Sequence, residues 1–331
     1  MTMKSFDLHN PKTLPQAIAL LDAADINNRR LRLMAGGQDL LTEMKDHLVE
    51  PDAVVNLKHI PGLDRLQYDP RIGLQIGALV SVAEVAESAD VRAHFPALAQ
   101  AAGSVASPQI RHVGTMGGNL CQRPRCWYYR NENIHCLKKG GDRCYAIAGE
   151  NKYNAILGGG PSFIVHPSDT ATALTALGAT VTIYGPKGAR TVPIEKFFIL
   201  PRVNVRHENI LKPDEIVTGI TVPASAMAAQ SVYLKFREKE SMDWAMAAAA
   251  VALHTSGGKV VEARIVLGGV APMPWRVPKA EAALKGQTLS AETLHKVAEI
   301  ALEGAAPLGK NAYKIPLTKT LVRRALHQAS V

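Results

Sequence analysis

Four cysteines are the residues of this chain best placed to do chemistry. Cys121, Cys126, Cys136 and Cys144 fall within 24 residues, and the rest of the 331-residue sequence holds none. The first ten residues carry neither an apolar h-region nor a cleavage site. The expected compartment is therefore the cytoplasm, where thiols stay reduced and two disulfides would explain the cluster poorly. A partner with its own export signal would instead carry the folded chain to the periplasm. The gaps of four, nine and seven residues lack the paired C-x2-C knuckles of common structural zinc sites. Four thiolates on one irregular loop suit an iron–sulfur cluster, in which each iron takes a cysteine sulfur. Arg123, Arg125, Arg130, Lys138, Lys139 and Arg143 interleave them and would offset the charge of such a cluster, with Gly140 and Gly141 offering backbone N–H groups. The residues favour iron–sulfur over zinc and over free thiols, and leave all three open.

Three further segments have the composition of phosphate or cofactor loops. Ala35-Gly36-Gly37-Gln38-Asp39-Leu40 follows an expected strand, and its two glycines let N–H groups approach an anion with no Cβ in the way. Gly114-Thr115-Met116-Gly117-Gly118-Asn119 stands just before the first cysteine. His166-Pro167-Ser168-Asp169 follows the run Gly158-Gly159-Gly160-Pro161 and opens a helix from Thr170. Singly, each glycine pair marks a turn more readily than a ligand site. No G-x-G-x-x-G opens a βαβ unit and no G-x-x-x-x-G-K-S/T occurs, so Rossmann-type and P-loop sites are disfavoured. A dinucleotide held between two separate glycine turns remains.

The elements that must position these loops alternate between helix and strand. Periodicity predicts a helix over 14–24, strands over 31–35, 53–57 and 74–78, a helix capped by Ser81, and a helix over 95–106. Past the cysteine loop come a helix over 171–178 and strands over 180–184 and 216–223. The small-residue stretch 224–230 reads as a linker. Beyond it stand a strand over 233–237, a helix or buried strand over 243–254, a strand over 260–267, and helices over 280–284, 291–302 and 317–327. The last has Lys319, Arg323 and Arg324 outward. The chain reads as α+β (mixed α/β) in two domains, 1–224 with an insertion at about 121–155, and 230–331.

Composition fits an ordinary soluble protein, with 47% apolar and 20% charged residues. The densest apolar stretch, 244–253, is half the length of a spanning helix, so no membrane span is expected. A net charge of +9 admits a nucleic acid, an acidic subunit or a phosphate-rich cofactor, without choosing among them.

Five motifs occur in order: AGGQDLL from Ala35, TMGGNL from Thr115, HPSD from His166, KFREKESMDWA from Lys235 and LGGVAPMPWR from Leu267. Together they resemble the FAD-binding (medium) subunit of the xanthine dehydrogenase family of molybdenum hydroxylases, over nearly the whole chain. The resemblance implies an FAD domain of the PCMH/vanillyl-alcohol-oxidase type followed by a smaller α/β domain of the CO dehydrogenase flavoprotein C-terminal type. It implies an oxidoreductase heterotrimer, whose small subunit carries two 2Fe-2S clusters and whose large subunit carries the molybdopterin cofactor, with further dimerisation left open. FAD would stand at the far end of the electron route. The cysteine insertion resembles the branch with an extra 4Fe-4S cluster, found in periplasmic aldehyde oxidoreductases and in 4-hydroxybenzoyl-CoA reductase. Cys126, Cys136 and Cys144 match that branch. Tyr153 stands where the reductase supplies its fourth cysteine, so either Cys121 closes the cluster or the fourth ligand is not a cysteine.

By the same resemblance Gly36, Gly37, Gln38 and Asp39, flanked by Ala35 and Leu40, would hold the FAD pyrophosphate through N–H groups. Thr115, Gly117, Gly118 and Asn119 would form the second wall. Asp169, beside Ser168, would accept from the adenosine ribose; read without the resemblance, Asp169 is as readily a helix cap. Lys235 and Asp243 would lie near the flavin, with Leu267 and Gly268 against its ring. No catalytic residue is expected in this chain, and Arg111 and His112 receive no acid–base role, because the protein's part is to position and polarise the cofactor. An aldehyde or an aromatic N-heterocycle is the expected substrate class, oxidised in another subunit. The alternatives are the β subunit of a 4-hydroxybenzoyl-CoA-reductase-like enzyme, a stand-alone flavin oxidase, and a zinc-bearing basic protein stacking nucleic acid on Trp127, Tyr128 and Tyr129. The last leaves the ordered glycine motifs unexplained.

Overall fold

The structure, a computed structural model, describes residues 3–26 and 30–330. Its first sheet is parallel: β1 (Asp7–His9), β2 (Leu31–Met34) and β3 (Ala53–Asn56), in the order β1-β3-β2. The helix Leu14–Ile26 makes the crossover that a parallel pair requires, burying Ala17, Ile18 and Leu21 against Val55, Leu57 and Ile60.

A second, antiparallel sheet takes β4 (Leu66–Asp69), β5 (Gly73–Gly77), β6 (Thr180–Gly185), β7 (Gly188–Pro193) and β8 (Ile216–Pro223), in the order β4-β5-β8-β6-β7. Along β6 buried and half-buried residues alternate, because side chains of a strand point to opposite faces in turn. The apolar face packs on short helices through Phe95, Leu98, Met116, Leu120, Leu174 and Phe197. Ser81 caps the first of these helices in a full capping box with Glu84. The long helix expected over 95–106 is shorter, Pro96–Gly103, and a separate helix Pro108–Val113 follows. Each begins with a proline, which suits a first turn and breaks an interior.

The third sheet is antiparallel, with β9 (Gln230–Phe236), β10 (Ala247–Ser256), β11 (Lys259–Gly268) and β12 (Trp275–Arg276) in the order β12-β11-β10-β9. The ambiguous stretch 243–254 resolves as the strand β10, despite four consecutive alanines with high helix propensity. Tertiary packing decides. One face meets the helices Pro278–Leu284, Ala291–Ala301 and Lys314–Gln328. On the other, Ala248 and Ala250 meet Ala97, Ala101, Ala173 and Ala176 of two helices in the first half of the chain. Small residues on both sides bring the second and third sheets' layers close, and a helix at that position would leave β9 and β11 unpaired. Among the described residues, no helix is long and apolar enough to cross a membrane.

Candidate functional site

β2 ends at Met34, and the chain turns through residues 35–39 before the helix Leu40–Lys45. The turn thus stands at the carboxyl end of a parallel strand, the edge at which α/β sheets take ligands. A Cβ on Gly36 would lie 2.1 Å from the Val113 carbonyl oxygen, so the first turn abuts the second backbone to backbone. Gly37, at φ +75°, needs the left-handed freedom of glycine. Among the described residues, the N–H groups of Gly36, Gly37, Gln38, Asp39 and Leu40 have no hydrogen-bond partner in the chain. All five residues line a cleft of about 880 Å³, near the top of the roughly 300–1,000 Å³ range of ligand pockets.

The second turn leads into the helix Met116–Cys121, where Thr115 Oγ1 accepts from the Gly118 N–H at 3.2 Å. Met116 and Gly117 donate to Val80 and Ala78 carbonyls, each at 2.9 Å. Thr115, Gly118 and Asn119 line the cleft; Gly117 does not. Gly117 is buried, and a Cβ there would sit 2.8 Å from Ala78 Cβ, so this glycine permits packing and offers no donor. Asn119 Oδ1 accepts from Ser168 Oγ and, at 2.6 Å, from Thr170 Oγ1. Its amide nitrogen is left without a partner among the described residues.

A smaller cavity of about 200 Å³ continues from the first, sharing Arg125, Pro167, Asp243 and Trp244 with it. The Arg125 guanidinium lies 4.7 Å from the Trp244 ring centroid at this junction. Ser168, Asp169, Asp243 and Gly268 line the smaller cavity, whereas Lys235 and Leu267 line neither. The helix Asp169–Ala176 is capped by Ser168, not by Asp169. Both Asp169 oxygens are engaged: Lys235 Nζ lies 2.8 Å from Oδ2, and the Tyr233 hydroxyl donates to Oδ1. Lys235 Nζ also donates to the Ser104 carbonyl at 3.1 Å. Burial, then the charge of Asp169, push the Tyr233 phenol well above its usual range, so it stays a donor. These side chains form a sealed ion pair between the helix and β9, and the structure does not bring them to the larger cleft.

The cysteine loop is almost free of regular structure beyond a single 3-10 turn, Leu137–Lys139. Cys126 Sγ receives N–H groups from Tyr128 and Tyr129 and the Asn154 amide at 3.9 Å; burial still raises this thiol. Cys144 adds to that rise through its charge, and Lys139 lies in the fields of Cys136 and Cys126. Cys121 stands apart. It ends a helix, packs against the core of the second sheet, and burial pushes its thiol up to about 12. Among the described residues, no three His, Cys, Asp or Glu side chains converge on a single metal-ion position. Tyr153 donates to Glu238 at 2.7 Å and packs edge-on against Trp127. Lys314, fully buried and with its amine pushed down by burial to about 7, donates to the Tyr153 and Gly269 carbonyls at 2.9 and 2.7 Å. It thereby ties the last helix to the floor of the smaller cavity.

The far wall of the cleft was not legible in the sequence. Asn204, His207, Asn209, Leu211 and Lys212 form it from an irregular segment with no glycine motif or periodicity. Arg125 and Trp244 carried a visible signal, a basic residue and an aromatic beside the motifs, but only the tertiary structure pairs them.

Residues 4–225 match the family described as the FAD binding domain in molybdopterin dehydrogenase, and 231–329 match the CO dehydrogenase flavoprotein C-terminal domain. The chain is 31% identical to the aldehyde oxidoreductase FAD-binding subunit PaoB of Escherichia coli, with 99% of each chain covered. It is 28% identical to the nicotine 6-hydroxylase medium subunit of Paenarthrobacter nicotinovorans, again over 99% of each. A solved carbon monoxide dehydrogenase chain from Hydrogenophaga pseudoflava superposes with a TM-score of 0.78 at 29% identity, covering 99% of this chain and 98% of that one.

Proposed function

The chain belongs to the family of FAD-binding subunits of molybdopterin dehydrogenases, and from that premise we propose that it relays electrons between a molybdenum-bearing partner and an external acceptor through FAD lodged in the two-turn cleft. One observation carries this reading. Among the described residues, five consecutive N–H donors lack partners on residues that line a cleft of dinucleotide size, where a diphosphate would satisfy them. Uncompensated, such donors are costly, and N–H groups bonded to an anion are among the stronger hydrogen bonds.

The residues present fit this group. The chain's contribution is to grip the diphosphate at residues 36–40, to offer Thr115, Gly118 and the Asn119 amide as an opposite wall, and to exclude water at the Trp244–Arg125 junction. When bound, FAD supplies the exchange between paired and single electrons. The substrate proposed is an aldehyde, supported by the similarity to a chain named as an aldehyde oxidoreductase subunit. Its chemistry would take place in another subunit, in keeping with relatives named as medium subunits or chains.

The cysteine loop is proposed to bind a 4Fe-4S cluster through Cys126, Cys136 and Cys144. The donor set supports this, with three N–H groups on Cys126 Sγ and basic neighbours around it. Cys121, which packs against the core and also lines the larger cleft, is left out of that set.

The full chain, purified alone, should carry about one FAD and about four iron per polypeptide. Exchanging Cys136 for serine should abolish the iron, which metal analysis of the purified chain would report. A colourless chain without flavin would overturn the function proposed here, and a yellow chain without iron would overturn the cluster alone.

A further inference from the structure

We infer that the cysteine loop is a clamp on the cofactor-facing turn, acting through Asp39 and Arg130, so that FAD retention and order in the loop are coupled. The inference rests on the proposed FAD site.

Asp39 occupies the N-cap position of the helix Leu40–Lys45, yet its side chain makes no capping bond. Aspartate at that position ordinarily accepts from the helix's own first N–H groups. Here the carboxylate turns away and is taken up entirely by the cysteine loop. Arg130 Nη2 lies 2.7 Å and Arg125 Nη2 3.0 Å from Oδ1, while the Arg123 backbone N–H donates to Oδ2 at 2.6 Å. Arg130 also donates to the Pro124 and Arg123 carbonyls, so one guanidinium holds both the loop's entry and Asp39. One turn along the same short helix, buried Glu43 accepts from the Tyr129 hydroxyl at 2.7 Å. The Arg123 and Arg130 guanidiniums lie over the Tyr129 ring at 5.2 and 5.5 Å.

Asp39 is itself the fourth of the five cleft-facing N–H donors. Its backbone therefore cannot move without moving the array, and its carboxylate cannot move without releasing the loop. Arg130 lines neither cavity, so it is a positioning residue and makes no contact with a ligand there. Linkage makes the effect reciprocal: a ligand that fixes the turn must steady the loop by the same factor by which the loop tightens the ligand.

The test uses the full chain stripped of flavin and titrated with FAD. Arg130→Gln should raise the Kd for FAD by about ten- to a hundredfold, with Arg130→Lys intermediate, because an ammonium keeps the charge and loses the fork. In the unmodified chain, FAD should slow amide hydrogen exchange in residues 128–139, which line neither cavity. That measurement needs no variant to fold. Wild-type affinity in Arg130→Gln, or exchange in 128–139 that ignores FAD, would overturn the clamp while leaving the FAD site standing. Failure of the unmodified chain to bind FAD would overturn both.

Discussion

Gly36→Ala is expected to give a folded chain that no longer retains FAD. The added Cβ would lie 2.1 Å from the Val113 carbonyl oxygen and 2.9 Å from its carbon. Both are backbone atoms held by the helix Pro108–Val113, so no side-chain rotation relieves the contact. The turn must withdraw, taking the Gly36 and Gly37 N–H groups from the diphosphate. Overpacking of this kind costs about 1–3 kcal/mol, and each N–H bonded to a charged group contributes about 1.5–3 kcal/mol. Loss of two such bonds would weaken FAD binding by roughly a hundredfold or more, which flavin absorbance after gel filtration would report. The control is Gly103→Ala, where a Cβ meets nothing within 4 Å, and whose flavin content should stay at the wild-type level.

The second large effect is one of stability. Lys235→Met should destabilise the fold by about 3–5 kcal/mol, because it strands a buried carboxylate without its cation. Side chains of Lys235 and Asp169 are only 4% and 5% exposed, so little solvent reaches the carboxylate to replace the lysine. The pair joins β9 to the helix Asp169–Ala176, and its loss should loosen the seam between the two halves of the chain. The double variant Lys235→Met, Asp169→Asn should recover most of the loss, since an amide keeps the Tyr233 hydrogen bond without a buried charge. Chemical denaturation of the single and double variants would measure this. Equal destabilisation in both would mean that the ion pair is not what the seam depends on.

How much of this was legible beforehand differs from residue to residue. Gly36 and Gly37 stood out as a candidate cofactor turn because a glycine pair after a strand has a local physical meaning, and both line the cleft. Gly117 looked the same in sequence, yet it serves close packing against Ala78, a contact made by a residue 39 positions away. Asp169 read as a ligand to ribose or a helix cap; in this structure the neighbouring Ser168 caps, and Lys235 and Tyr233 hold the carboxylate. Sixty-odd residues separate those partners, so no local pattern announces them. The alanines of β10 were ambiguous because intrinsic propensity and two-sided burial point opposite ways, and burial wins. Strands β4 and β7 went unread for a similar reason. They are short and largely half-buried or exposed, and their pairing partners supply the order that their own sequences lack.

The cysteines show the other side of the same limit. Their clustering was plain, and their spacing already argued against common zinc sites. Which thiols face one another was not. Cys121 belongs to a helix whose register is set by Leu120 and Met116 entering the core, so its direction follows packing rather than any loop.

The claim on which the account turns is that residues 36–40 receive the diphosphate of FAD. A structure of the chain crystallised with FAD tests it directly. The account predicts phosphate oxygens within about 3.2 Å of at least two of the N–H groups of Gly36, Gly37, Gln38, Asp39 and Leu40. A well-ordered FAD whose diphosphate lies elsewhere, with those five donors still facing solvent, would contradict it.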